Sequence, residues 1–408
     1  MFKYVYIFLF IFCLSVFFAT CKSTEKTAIS KEPAVVTTEE PKTFEEPKVI
    51  TYLPPAADSV SEIAINLVGD LMCHLPQTTN AKLTNGTYDF NPSFEYIKPY
   101  LQDADITIGN LETTFAGTNQ PYAGYPAFNS PDEYCTALKN AGFDFLVTAN
   151  NHSMDTREAG LLRTIDVIKK HNLGYAGTYL NQRDHDSIRI VNVKGVKLGI
   201  LNYTYGTNGS YPISDHKYML NVIDSAGIVA SVKLAKLNGA DIVLVFYHMG
   251  LENVTEPTQA QNDAVRFALE AGATLVIGAH PHMIGPTKKI YSEAINDTAF
   301  VAYSLGNFLS NQYWRYTDAG VILKLIVQKN YTKKTTTYKD ASYLPTWVYR
   351  GDGVKKMHIL FPAQWVNDTT KLPPFLTNSH KQKMREAFND TKNIMTKTNS
   401  GLKLDLLK

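Results

Sequence analysis

The chain has 408 residues, 44% of them hydrophobic and 19% charged, with 24 Gly and 19 Pro. That composition excludes collagen-like, low-complexity and wholly disordered chains, and since one core rarely exceeds roughly 250–300 residues, a large domain with extensions is expected. Lys plus Arg at 40 against Asp plus Glu at 38 leaves a formal charge of +2, which argues against a polyanion-binding surface and a nucleic-acid partner, though not against a local basic patch.

Residues 1–20 read MFKYVYIFLFIFCLSVFFAT, with one Lys at position 3 and an apolar run from Val5 to Phe18. Crossing a bilayer takes about 20 apolar residues, so this shorter run behind a basic start predicts a secretory signal. The run closes on Phe18-Ala19-Thr20-Cys21. Small residues before a Cys resemble the lipobox of bacterial lipoproteins, in which the Cys becomes the lipidated first residue. Residues 1–21 are thus expected to be a signal peptide with Cys21 as the lipidation site. The mature chain would be an exported lipoprotein, anchored to the membrane in the bacterial cell envelope. A plain signal cut nearby and an uncleaved anchor are the alternatives. Of four cysteines, Cys73 and Cys135 then remain for the folded part, as free buried thiols. Residues 22–61 are rich in Thr, Glu, Lys and Pro and poor in large apolar side chains. They cannot repay the cost of ordering and read as a flexible tether.

Order is predicted from Glu62. Ile63–Val68 is short, apolar and β-branched, and Gly69-Asp70 stops it, as a buried strand ending in a polar turn would be. The grammar repeats: 104–108 precedes Gly109-Asn110, 143–148 precedes Ala149-Asn150-Asn151-His152, and 242–246 precedes Tyr247-His248. Further on, 274–277 precedes Gly278-Ala279-His280, and 299–303 precedes Ser304-Leu305-Gly306-Asn307. Helical periodicity fills the intervals at 157–171, 225–238 and 259–271. Residues 187–200 alternate around Lys194-Gly195 as a hairpin would, 320–360 hold more strands, and 381–395 can form a helix in a basic tail. Strands alternating with helices predict an α/β fold whose functional loops lie at the strand carboxyl ends.

Those ends carry the metal-capable side chains: Asp70, Glu112, Asn151, His152, His248, His280 and His282. Parallel strands would bring them to one edge, and carboxylates, an amide oxygen and imidazoles suit Zn, Mn, Fe or Mg. A lone strand-end Asp or His is as often structural, and Asn151 could simply cap a helix. Five such loops together make a purely structural role a poor account.

In order, the chain reads Gly69-Asp70-Leu71-Met72, Gly109-Asn110-Leu111-Glu112, Ala149-Asn150-Asn151-His152 with Asp155, Tyr247-His248-Met249-Gly250, Gly278-Ala279-His280-Pro281-His282 and Tyr303-Ser304-Leu305-Gly306-Asn307-Phe308. This series resembles the CapA family of poly-γ-glutamate capsule biosynthesis proteins, also called PgsA, over about residues 62 to 312. That family is in turn similar to the calcineurin-like metallophosphoesterases. The resemblance implies an α/β fold built as a β-sandwich flanked by helices, for a domain expected over 62–330; outside the resemblance, 331–408 reads as a C-terminal β extension and basic tail. It also implies roles. Asn151, His248 and His280 would hold one divalent ion, bridged by Glu112 to a second at Asp70 and His282. The superfamily's first His is lost at Met72, and His74, displaced by two residues, is the candidate to replace it. His152 would serve as general acid, Asp155 would orient it, and Asn307 would hydrogen-bond substrate or a ligand. The implied function is capsule synthesis or export through a metal-dependent hydrolase or transferase site. Its partners would be an anionic γ-glutamyl polymer or a phosphate ester, the membrane through the lipid, and capsule-synthase subunits. An envelope phosphoesterase and a non-catalytic polymer-binding scaffold are the competing possibilities.

Overall fold

The computed structural model describes residues 59–351, 356–363, 372–397 and 400–405. The expected signal, Cys21 and the tether up to residue 58 lie outside the described residues. The strands are β1 Val60–Leu71, β2 Ile106–Leu111, β3 Phe145–Val147, β4 Gly174–Ala176, β5 Arg189–Val193, β6 Val196–Thr204, β7 Ile242–His248, β8 Leu275–Ala279, β9 Thr287–Ser292, β10 Asp297–Ala302, β11 Asn307–Leu309, β12 Ala319–Asn330, β13 Thr335–Tyr349, β14 His358–Leu360 and β15 Lys403–Leu404.

They build two sheets. The first has the order β14-β13-β12-β1-β2-β3-β4, with β11 on the end of β1 and β15 on β13; the second is β5-β6-β7-β8-β10-β9. Strands β1 to β4 run parallel, and so do β6, β7, β8 and β10. Alternation along each strand sorts its side chains between two faces. Ile63, Ile65 and Leu67 of β1 join Leu244 and Phe246 of β7 and Leu275 and Ile277 of β8 in the core between the sheets. Val243, Val245 and Val276 face the opposite way, packed with Ile228 and Val232 of helix Ser225–Leu237 and Ala264 and Ala268 of helix Gln259–Ala271. On the first sheet Val68 and Leu71 pack with Leu138 of helix Asp132–Ala141 and Ile165 of helix Arg157–Lys170. The result is the expected sandwich with helices on its outer faces. Each fully buried aliphatic side chain in it contributes about 1.5–3 kcal/mol.

The expected hairpin is β5–β6, turning at Lys194-Gly195. The expected C-terminal helix is longer, Asn378–Thr396, because Thr377 Oγ1 accepts from the His380 N–H and caps it three residues earlier. The partner of β12 was not evident from the sequence: it lies antiparallel on β1, pairing Val60 with Asn330 through Val68 with Ile322. Strand β13 then pairs β12 from Ala319 to Asn330, so the C-terminal β extension forms the edge of the first sheet. Among the described residues, no helix is long and apolar enough to cross a membrane.

Candidate metal centre

Pleating decides which strand-end side chains meet. In β7 the even-numbered residues face the sandwich interior, so His248 emerges beside Phe246 on that side. In β2, Ile106 and Ile108 face inward, which sends Asn110 and Glu112 the same way. In β1 the inward residues are odd-numbered, and strict alternation would send Asp70 outward. A register shift between Val68 and Asp70 inserts one residue and re-aims Asp70. Gly69 makes this possible, since a Cβ there would lie 1.9 Å from the Gly306 carbonyl oxygen. After β8 the chain holds His280 at φ 98° and His282 at φ 59°, conformations that a side-chain-bearing residue adopts at a cost of order 1–3 kcal/mol and that concentrate at functional sites.

The structure brings these strand-end side chains close together. Asp70, Glu112 and His248 are fully buried, and Asn151, His152, His280 and His282 are at most 3% exposed. Asn110 Nδ2 donates to Asp70 Oδ1 at 2.8 Å and to His248 Nδ1 at 3.0 Å. With Nδ1 accepting, His248 donates from Nε2 to Asn151 Oδ1 at 2.6 Å. The Nδ1–H of His282 is shared between Asp70 Oδ2 and Asn307 Oδ1, each 3.1 Å away. Two groups have donor atoms within 4.8 Å of one another: Glu112 with His248 and His280, and Asp70 with Glu112 and His282. Glu112 belongs to both.

Both carboxylate oxygens of Glu112 and Nδ1 of His280 are buried without a hydrogen-bond partner among the described residues. Buried polar atoms are nearly always paired, and an orphaned carboxylate beside an orphaned imidazole is the arrangement a cation completes. The donors, carboxylate oxygen and imidazole nitrogen, are a set that borderline and hard divalent ions take. The residues present therefore fit such an ion. Electrostatics point the same way. Burial and the neighbouring Asp70 charge push the Glu112 carboxyl well above the usual carboxylate range. Burial would raise Asp70 too, but the hydrogen bond and charge of His282 outweigh it and hold Asp70 below its ordinary value. Burial lowers His248 far below an ordinary imidazole and takes His280 to about 3, leaving both neutral, as ligands must be.

His152 lies just beyond these groups. Its Nδ1 donates to Asp155 Oδ2 at 2.7 Å, while Nε2 stands 4.0 Å from Glu112 Oε1. Asp155 Oδ2 also accepts from the Phe128 N–H at 2.6 Å, and the Phe128 ring meets the imidazole edge-on with centroids 4.6 Å apart. Asn307 contacts the candidate ligand His282, and its Nδ2 donates to the Thr317 carbonyl. His74 does not stand in for the imidazole absent at position 72: its Nδ1 faces Gln77 Oε1 and the Asn311 N–H, outside both groups. Sequence reasoning passed over Asn110, although it lies inside a quoted motif. An Asn after a strand reads as a turn residue, and the neighbouring Glu112 was the one clue. It also passed over Asn208, whose Nδ2 comes within 3.4 Å of His152 Nδ1 from a distant loop.

The sequence profile of the family described as bacterial capsule synthesis protein PGA_cap matches residues 64–312. The capsule biosynthesis protein CapA of Bacillus anthracis is 28% identical over 280 residues, 66% of this chain and 65% of that protein. The PGA biosynthesis protein CapA of Bacillus subtilis (strain 168) is 28% identical over 293 residues, 71% and 72% of the two chains. The match thus spans slightly less than two thirds of the first relative's length. Among solved structures, the NAD nucleotidase NadN of Haemophilus influenzae aligns with a TM-score of 0.45 at 12% identity, over 86% of this chain and 58% of that one. A phosphatase of Mycoplasma pneumoniae aligns with a TM-score of 0.41 at 12% identity, over 70% and 95%. With more than half of its length matched from the first strand to the loop after β11, this chain belongs to the bacterial capsule synthesis protein family PGA_cap.

Proposed function

We propose that the protein is a metal-dependent hydrolase or transferase of the cell envelope that serves capsule synthesis, exported and anchored through Cys21. The observation that supports it is the Glu112 carboxylate, without a hydrogen-bond partner among the described residues and shared by two buried candidate ligand groups. Glu112 with His248 and His280, and Asp70 with Glu112 and His282, would hold divalent ions, which would supply Lewis acidity. The protein's own residues do the rest. Asp70 and Glu112 set the negative charge that retains cations, and Asn110 and Asn307 hold His248 and His282 in their orientations. His152, fixed by Asp155, faces the groups through Nε2 and delivers a proton to the leaving group.

For the substrate, family membership favours the γ-glutamyl polymer of capsules, as the names of the Bacillus relatives suggest. A second reading, an envelope phosphate ester, is favoured by the wall beside His152, which carries Asp155 and Glu252 and, among the described residues, offers no cation to a row of carboxylates. The test is elemental analysis of the purified full chain together with turnover of γ-glutamyl polymer and of phosphate esters. One or two divalent ions per chain, lost in Asn151→Ala/His280→Ala, are expected. Metal content unchanged in that double variant overturns the site.

A further inference from the structure

A cavity of about 440 Å³ opens directly on Asn151 and His152. It is also lined by Tyr125, Ser210 and Glu252, by Asn208, which lies against Asn151 and His152, and by Asp155, which holds His152. No Lys or Arg is among the described residues that line it. Tyr125 is 75% exposed, an unusual position for a large ring, and it offers a flat apolar face to whatever enters. Beside the candidate ligand His280, Tyr205 is 45% exposed and its ring centroid lies 4.6 Å from that of the imidazole.

The hydrogen-bonding inventory is specific. Asp155 and Glu252 only accept, Asn208 does both through its amide, and Ser210 does both through one hydroxyl. A ligand that satisfies all four must bring several O–H groups as well as acceptors, and one apolar face for Tyr125. A chain of carboxylates brings acceptors alone. Each carboxylate placed about 4 Å from Asp155 or Glu252 would cost about 1 kcal/mol even at the dielectric of water, and more in a half-enclosed cavity.

We infer that this cavity is a subsite for an uncharged, polyhydroxylated ring, a glycosyl group attached to the ester bond that reaches His152 and the metal ligands. The inference rests on the phosphate-ester reading of the site and names the other half of that substrate. The ring stacks on Tyr125, its hydroxyls donate to Glu252 and to the free oxygen of Asp155, and Asn208 and Ser210 donate to its remaining oxygens.

The test is saturation-transfer NMR on the purified, metal-depleted full chain, with methyl glycosides of hexoses and N-acetylhexosamines and with tri-γ-glutamate as probes. Transfer to at least one glycoside is expected, with affinity falling at least tenfold in Tyr125→Ala and in Glu252→Gln. Tri-γ-glutamate should show none. Thermal melting checks the fold of both variants, whose replaced side chains are at the surface. Transfer to tri-γ-glutamate that depends on Tyr125, no transfer to any glycoside, or glycoside binding that survives both substitutions overturns the inference. Metal content is read separately, so an ion-free protein that binds glycosides, or a metalloprotein that does not, tells the two proposals apart.

Discussion

Asn110 Nδ2 donates to Asp70 Oδ1 at 2.8 Å, and the same nitrogen donates to His248 Nδ1 at 3.0 Å. One amide thereby links a member of each ligand group, across strands from different sheets, at a place where all three side chains are fully buried. Asn110→Leu keeps the volume and removes the donor, leaving both acceptors unpaired. A stability loss of about 2 kcal/mol or more is expected in the metal-free protein, read as a lower urea midpoint at unchanged slope. Asn110→Asp should separate stability from binding. It places a carboxylate against Asp70, so the metal-free protein should melt earlier while divalent ions bind more tightly.

Glu112 predicts the reverse pattern. Its carboxyl group is buried with no hydrogen-bond partner among the described residues, and an unsatisfied buried polar group costs stability until a cation arrives. Glu112→Gln should therefore leave the metal-free melting temperature equal or higher while bound metal falls at least tenfold. Calorimetry alongside elemental analysis reads both. A variant that melts much earlier without metal would show that Glu112 serves the fold instead.

These two residues mark how far the sequence could be read. His248, His280 and His282 were legible because each follows a short β-branched run, and parallel strands must deliver such ends to one edge. The α/β class followed from strands alternating with helices, whereas the sandwich was implied only by the family resemblance. Asn110 was not legible, because the amide's importance comes from Asp70 and His248, 40 and 138 residues away. The re-aiming of Asp70 was hidden as well, since a one-residue bulge leaves no periodic signature beyond a glycine. The pairing of β1 with β12 joins strands more than 250 residues apart, and no local pattern encodes such a partner.

The loop carrying Asn208 and Ser210 supplies a pH-dependent prediction. Glu158 Oε1 accepts from the Ile213 N–H at 2.8 Å, and Oε2 accepts from His216 Nδ1 at 2.8 Å. The backbone bond first, and then His216, hold this carboxyl below its ordinary value. A carboxyl lowered on folding stabilises above its unfolded pKa of about 4.3, and that support is lost as pH falls through the folded value. The Ile213 amide should thus exchange faster as pH drops below about 4, relative to unstructured controls. Glu158→Gln should show faster exchange already at neutral pH, with KM raised and kcat unchanged for a substrate that reaches the loop. Exchange at Ile213 that ignores both changes would rule out this tether.

His152 offers the sharpest chemical test, because its two nitrogens have separable roles. Nδ1 is engaged by Asp155 at 2.7 Å, and Nε2 faces Glu112 from 4.0 Å without joining either ligand group. His152→Ala should therefore leave metal content intact while lowering kcat about 10²- to 10⁴-fold on substrates whose leaving alkoxide needs a proton. The same variant should lose far less on a nitrophenyl ester, whose leaving group departs unprotonated. Asp155→Asn keeps an oxygen for the Phe128 N–H but removes the charge beside the imidazole, so it should lower kcat by less than His152→Ala does. The leaving-group dependence decides between proton delivery and mere support. If His152→Ala slows alkyl and nitrophenyl esters equally, the imidazole acts by positioning substrate, and the general acid must be sought elsewhere in the cavity.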